Sequence, residues 1–147
     1  MTETDGTLPR ERNSLHVVAG VIIFESRILL GRRADHKSNP GKWEFPGGKV
    51  EPGESSFDAI VRELQEELGL QVTPIRTFDI SSTLVNQQLI TLECILCRVN
   101  EIADISSIDH DEVRWFTVMD LYALDLALPD YPAFEKLTQS GPIHDLI

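Results

Sequence analysis

The sequence predicts an α/β fold in which a mixed sheet lies between helices, in the order β-β-β-α-β-β-β-α. Three observations carry that expectation. Residues 16–24 (HVVAGVIIF) and 89–99 are apolar runs of strand length. Residues 57–68 repeat their apolar members at helical spacing, and short turn signals separate the runs.

Residues 1–14 are polar and are expected to be disordered or peripheral, leaving 15–147 as one domain. A chain of 147 residues buries a core without disulfide or metal staples. The run 16–24 reads as a buried strand, with Gly20 admitting a close neighbour. Glu25 and Ser26 turn the chain into a second strand over 28–33. A polar loop over 34–42 contains the turn signal Asn39-Pro40-Gly41. Residues 43–48 (WEFPGG) follow, and 49–53 lead into a helix.

Ser55 or Ser56 is the expected N-cap, with Asp58 three residues after Ser55 as in a capping box. Phe57, Ile60, Val61, Leu64 and Leu68 form the stripe to be buried, and Gly69 ends the helix at C′. Strands are expected over 72–80 and 89–99, the second central. An acidic connector over 104–112 precedes a short strand at 113–116. Thr117 and Asp120 signal a capped short helix, and 131–137 a last one with Pro132 in its first turn.

The net charge of −11 argues against binding to nucleic-acid polymers, which need a basic surface. It leaves room for a nucleotide, because five of the thirteen basic residues (Arg27, Arg32, Arg33, Lys37 and Lys42) cluster just before the helix as a phosphate-binding rim. The lone pair Cys94 and Cys97 lacks the second pair that a zinc site needs, and on a strand the two sulfurs point to opposite faces. They read as buried thiols. The first fourteen residues lack an apolar segment, so neither secretion nor a membrane is expected and the cytoplasm is the default compartment.

The chemistry concentrates on the helix. Glu63, Glu66 and Glu67 share one face, away from the apolar stripe, where like charges three and four apart repel. Arg62 can pair with Glu66 or Asp58, which leaves two carboxylates uncompensated. Clustered hard oxygens suit Mg²⁺, with Mn²⁺ as a substitute.

Gly48, Glu54, Arg62, Glu63, Leu64, Glu66, Glu67, Gly69 and Leu70 stand at the spacing G-x5-E-x7-R-E-U-x-E-E-x-G-U, where U is a bulky aliphatic residue. This resembles the signature of the Nudix hydrolase family and matches it at every specified position. The resemblance implies an α/β/α sandwich and metal-dependent hydrolysis of a nucleoside diphosphate linked to another group. It implies Glu63 as general base or metal ligand, Glu66 and Glu67 as metal ligands, and Arg62 as the orienter of a glutamate. Glu54 would support the metal shell through water or stabilise the loop.

The segment from Arg32-Arg33 to Glu44-Phe45-Pro46-Gly47-Gly48-Lys49 resembles MutT-type nucleoside triphosphate pyrophosphohydrolases. That likeness implies a metal contact from the Gly47 carbonyl, phosphate contacts from Arg33 and a base pocket at Phe45, a residue that also reads as core. Asp109 stands where the subfamily has a further acidic ligand, shortened here from glutamate, and His110 reads as structural. Asp130 falls where the MutT type has an asparagine that reads oxidised guanine. As an ionised acceptor Asp130 favours cytosine or a differently read oxidised guanine.

The function so implied is Mg²⁺-dependent conversion of a nucleoside triphosphate to monophosphate and pyrophosphate, in pool sanitation or cytidine nucleotide turnover. The alternatives are hydrolysis of ADP-ribose or a dinucleoside polyphosphate, and a non-catalytic nucleotide sensor. The partner is a small nucleotide, and the protein is a monomer or homodimer.

Overall fold

The computed structural model describes residues 14–101, 105, 107 and 109–147. Its strands are β1 (Ser14–Phe24), β2 (Arg27–Arg33), β3 (Trp43–Glu44), β4 (Gly47–Lys49), β5 (Thr73–Val85), β6 (Gln88–Arg98) and β7 (His110–Phe116). Helix α1 (Ser56–Leu68) lies between β4 and β5, and α2 (Tyr131–Gln139) follows two short 3₁₀ turns. The sheet order is β3-β2-β1-β6-β5, with β4 also on β1 and β7 also on β2. Only the β1–β6 ladder is parallel among these pairs, so the sheet is mixed as expected.

The period-two alternation of β1 sorts its apolar residues between two layers. Val18 and Ile22 join Ile60, Leu64 and Leu68 of α1, whereas Ala19, Val21 and Ile23 join Phe134 and Leu137 of α2. One helix therefore covers each face, the α/β/α sandwich. Cys94 packs in the α2 layer and Cys97 in the α1 layer. Burial raises both thiols, Cys97 to about 12, so neither is a ready thiolate.

Helix α1 starts and stops as its residues dictate. Ser55 Oγ accepts from Asp58 N at 3.0 Å, which fixes Ser55 as the cap. At the other end Gly69 adopts φ 65° and its N–H donates to Gln65 O, the bond of the αL closure, while Leu70 N donates to Leu64 O. Ile60, Leu64 and Leu68 are buried, each contributing about 1.5–3 kcal/mol. Ala59 takes the fourth buried place, while Val61 is 38% exposed at the edge of the stripe. Leu64 packs so closely over Gly20 that a Cβ there would lie 3.1 Å from its methyl carbon. The buried Glu93 carboxylate accepts from Ser56 Oγ (3.2 Å) and Thr77 Oγ1 (2.7 Å), seating the helix start on the sheet.

Several boundaries differ from the sequence expectation. β1 starts at Ser14, because Ser14 and Leu15 pair with Leu89 and Ile90; residues 1–13 lie outside the described residues. β5 runs to Val85 rather than 80, since Ser81–Val85 pair with Gln88–Leu92 across a tight turn. Asn86 and Gln87 make that turn at φ 49° and 67°. β7 starts at His110 because Arg33 pairs with it across a bulge that leaves Asp111 of β7 as the extra residue. Residues 104, 106 and 108 of the expected acidic connector lie outside the described residues, and its last three residues, 110–112, belong to β7. Thr117 and Asp120 exchange hydrogen bonds (3.0 and 3.3 Å), but the helix they open, Met119–Ala123, is 3₁₀.

Candidate active site

β1 holds two partners on one side, β4 at Val17–Ala19 and β2 at Ile23–Phe24. β2 diverges from β1 between them, and the opening is a cleft of about 700 Å³. One part is charged: Arg33, Lys37, Glu44, Glu63, Glu67 and Asp109 line it, with Gly47 and Gly48. The other is largely apolar, walled by Leu15, Val17, Ile90, Leu92, Phe45 and Pro129, with Asp130 among them.

Two glycines let the helix and β4 approach. A Cβ on Gly47 would lie 1.9 Å from Val18 O, and one on Gly48 would lie 2.3 Å from the Glu63 carboxyl. Arg62 then locks the acidic helix to the loop before it. Its Nε and Nη2 donate to Glu54 Oε2 and Oε1 at 2.7 and 2.9 Å, a bidentate pair. Nη1 donates to Glu63 Oε1 at 2.9 Å, and Nη2 also reaches Lys49 O at 3.1 Å. The guanidinium hydrogen bond, then the Glu51 N–H, hold Glu54 below the usual carboxylate range. Arg62 thus grips Glu54 and Glu63 first; Glu66 receives a longer 3.3 Å contact, and the expected Asp58 pair is replaced by these.

The acidic face divides. Glu63 and Glu67 line the cleft, whereas the Glu66 side chain is 60% exposed and turns towards Arg62. Asp109 joins the cleft from the start of β7, and Glu67 and Asp109 face each other: each shifts the titration of the other. Glu67 Oε2 is buried without a hydrogen-bond partner among the described residues. Burial first, then Asp109, pushes the Glu67 carboxyl up to about 9. Asp109 is held low, first by the Glu67 carboxyl and then by Lys37.

Among the described residues no three Asp, Glu, His or Cys side chains converge as a complete metal cage. Mg²⁺ is commonly held by one or two carboxylates, with water and substrate phosphates completing the shell. An orphaned buried carboxylate oxygen facing a second acid, with Glu63 and the Gly47 backbone in the same cleft, fits such a cation.

A measurable consequence concerns pH. Without metal the folded state keeps Glu67 protonated up to about 9, while the unfolded chain ionises it above the ordinary 4.5. The fold therefore carries the extra proton between those values, and stability should fall as pH rises through that window, by at most ~1.4 kcal/mol per unit. Asp109, shifted down, adds dependence only at the acid end. Urea melts in EDTA from pH 6 to 9 should show the decline, to which the raised Asp130 adds its own part, and Mg²⁺ should reduce it; a level EDTA profile would contradict the buried proton.

The basic rim narrows on folding. Arg33 and Lys37 line the cleft, but Arg32 pairs with Asp111 at 2.8 Å and Lys42 with Asp125 at 2.8 Å, away from it. Arg33 is itself braced: Nη1 donates to Glu44 (3.2 Å), Nε to Ser38 O (2.6 Å) and Nη2 to Ser38 Oγ (3.0 Å). Glu44, which sequence reasoning missed, also meets His110 Nε2 at 2.9 Å. His110 is buried with its ring against Gly31, where a Cβ would lie 2.5 Å away. Its role here is structural, tying β7 to β3 through Glu44. The only sequence signal for Glu44 was its fixed distance from the arginine pair.

Phe45 is core by its contacts and also lines the cleft: it is buried and stacks on Phe134 (4.6 Å, 19°). Its N–H donates to Asp130 Oδ2 at 2.9 Å. Asp130 is only 6% exposed, and burial, reinforced by Glu44, raises its carboxyl well above the usual range. Burial therefore works against the ionised acceptor that the sequence suggests for Asp130 and favours the protonated form, which donates as well as accepts.

The NUDIX domain pattern matches residues 14–137. The CTP pyrophosphohydrolase of Escherichia coli K12 is 51% identical over 59 residues, 40% of this chain and 44% of that protein. This chain thus aligns with under half the length of that relative. A protein named putative 8-oxo-dGTP diphosphatase 2 from Mycobacterium tuberculosis is 34% identical over 111 residues, 74% of this chain and 77% of that protein. The solution structure of the E. coli ORF135 protein superposes with a TM-score of 0.75 at 31% identity, covering 89% of this chain and 95% of that one. No helix among the described residues is long and apolar enough to cross a membrane. With its signature on a capped helix, its mixed sheet and a domain match over most of its length, the chain belongs to the Nudix hydrolase family.

Proposed function

We propose that this protein hydrolyses a nucleoside triphosphate between the α and β phosphates, releasing monophosphate and pyrophosphate with Mg²⁺ or Mn²⁺. The observation that carries this reading is the division of one cleft into an acidic part and an apolar part that ends on Asp130. A base fits the second, and a polyphosphate reaches from it to the first.

Glu67, Asp109 and the Gly47 carbonyl would hold the cation, which neutralises phosphate charge and lowers the pKa of water. Glu63 is the base: Arg62 occupies Oε1, which leaves Oε2 to take a proton from the attacking water. Arg62, fixed by Glu54, keeps that carboxylate aimed. Glu66, turned to solvent beside Arg62, supports the guanidinium rather than the cation. Arg33, already braced by Glu44 and Ser38, presents charge to the phosphates with little motion left to lose.

Burial of Asp130 favours its protonated form, and that form bears on the choice of base. Its donor and acceptor complement an adjacent acceptor and donor, as on the N3/N4 edge of cytosine or the O6/N7–H edge of 8-oxoguanine. The O6/N1–H edge of unmodified guanine and the N1/N6 edge of adenine offer the same acceptor–donor pair, so the edge that the cleft turns towards Asp130 decides the preference. Relatives named for CTP and for 8-oxo-dGTP are consistent with cytosine or 8-oxoguanine there.

The deciding assay is a panel of CTP, dCTP, 5-methyl-dCTP, 8-oxo-dGTP, dGTP and ADP-ribose with pyrophosphate detection. Pyrophosphate release is expected, with cytosine or 8-oxoguanine nucleotides, the bases in the relatives' names, ahead of dGTP in kcat/KM. Orthophosphate as the primary product, or cleavage of ADP-ribose alone, would refute it.

A further inference from the structure

One cation in the cleft is paired with an acid that the proposed chemistry needs. Lys37 Nζ lies 3.2 Å from Asp109 Oδ1, with the two side chains 35% and 34% exposed. The loop delivers the ammonium deliberately. Ala34 N donates to Asp109 O and Lys37 N to Ala34 O, both at 3.0 Å, and Arg33 holds the next residue, Ser38, by backbone and side chain. Lys37 therefore stands over the acid that faces the orphaned Glu67 oxygen.

Arg33 and Lys37 are not equivalent cations. The Arg33 guanidinium is spread over Glu44 and Ser38, whereas Lys37 ends in a point charge on a flexible stem, held by a partly exposed pair that is weak. A divalent cation at Asp109 would repel an ammonium on the same carboxylate. The substrate brings in several negative charges within reach of the same rim.

We propose that Lys37 is an exchangeable counter-ion: it neutralises Asp109 in the free protein, gives that carboxylate up to the divalent cation, and passes to the polyphosphate. The proposal rests on Asp109 as a cation ligand.

Mn²⁺ titration of the nucleotide-free protein, read by calorimetry or by loss of the free-ion EPR signal, tests it in wild type, K37Q, K37R and D109N. K37Q should bind Mn²⁺ about two- to fivefold tighter, the range that loss of a partly exposed competing pair supports. K37R should match wild type, D109N should bind more weakly, and the K37Q gain should vanish in the double variant. At saturating Mg²⁺ the KM of K37Q for the triphosphate should rise severalfold, opposite in sign to the metal effect. A folded K37Q with equal or weaker Mn²⁺ binding overturns the proposal while the D109N result keeps the site reading intact. A gain that persists in K37Q/D109N also overturns it, and unchanged KM removes the transfer to phosphate. Absence of Mn²⁺ binding in wild type overturns both.

Discussion

Glu63→Gln is expected to lower kcat by about 10²–10⁴-fold, the usual worth of a positioned general base. The exchange conserves size, and the amide oxygen can still accept from Arg62 Nη1 in place of Oε1. What disappears is the capacity of the second oxygen to take a proton, together with one negative charge facing the cation. Substrate affinity should change far less, because the apolar end of the cleft is made by other segments. Steady-state kinetics beside a thermal melt would separate the two effects. A kcat within tenfold of wild type, in folded material, would remove Glu63 from the reaction.

Gly48→Ala is expected to be nearly as damaging, though it adds one methyl and changes no charge. The added carbon would lie 2.3 Å from both Cδ and Oε2 of Glu63. Carbon and oxygen atoms in contact sit about 3.5 Å apart, so something must move. The carboxylate is the softer party, but Arg62 holds its other oxygen at 2.9 Å and is itself clamped to Glu54. Glu63 must swing out of line and abandon that contact. A misplacement of about 1 Å costs about 10²-fold in rate, so a loss of at least that size is expected. The affected atom is at the end of a side chain, so the melting temperature should fall modestly. Near-normal turnover would show that the Gly48–Glu63 contact is dispensable.

These two residues also mark how far local sequence reaches. Much of the helix was legible: a cap at Ser55 or Ser56, the C′ glycine, most of the buried stripe and an acidic face all follow from positions within four residues of each other, but the turn of Glu66 to solvent did not. Interactions at that range are fixed by helical geometry. Val61 strayed because the stripe is wider than the sheet surface that covers it.

The far side of the cleft was much less legible. Lys37, Glu44, Asp109 and Asp130 come from separate segments, and they meet because β2 pairs with both β3 and β7, with a bulge at Arg32/Arg33. Pattern gives strands but not their partners, and a bulge moves register by one residue without a composition signal. Asp130 shows a second limit. Its identity and offset located it, but its charge state depends on burial and on Glu44, neither of which is written nearby. The β5–β6 hairpin was hidden because Asn86-Gln87 lacks the glycine that usually announces such a turn.

The parallel pairing of β1 with β6 has a kinetic consequence. Ser14 meets Leu89 and Ile23 meets Arg98, so the central ladder joins segments far apart along the chain. Such a high contact order makes closure of the sheet a late and slow event, after the intervening loop entropy has been overcome. A nascent chain emerged through Leu70 would display the whole acidic signature while lacking the strand against which β1 zips. Catalytic competence during synthesis must therefore wait for β6, however early the glutamate helix forms.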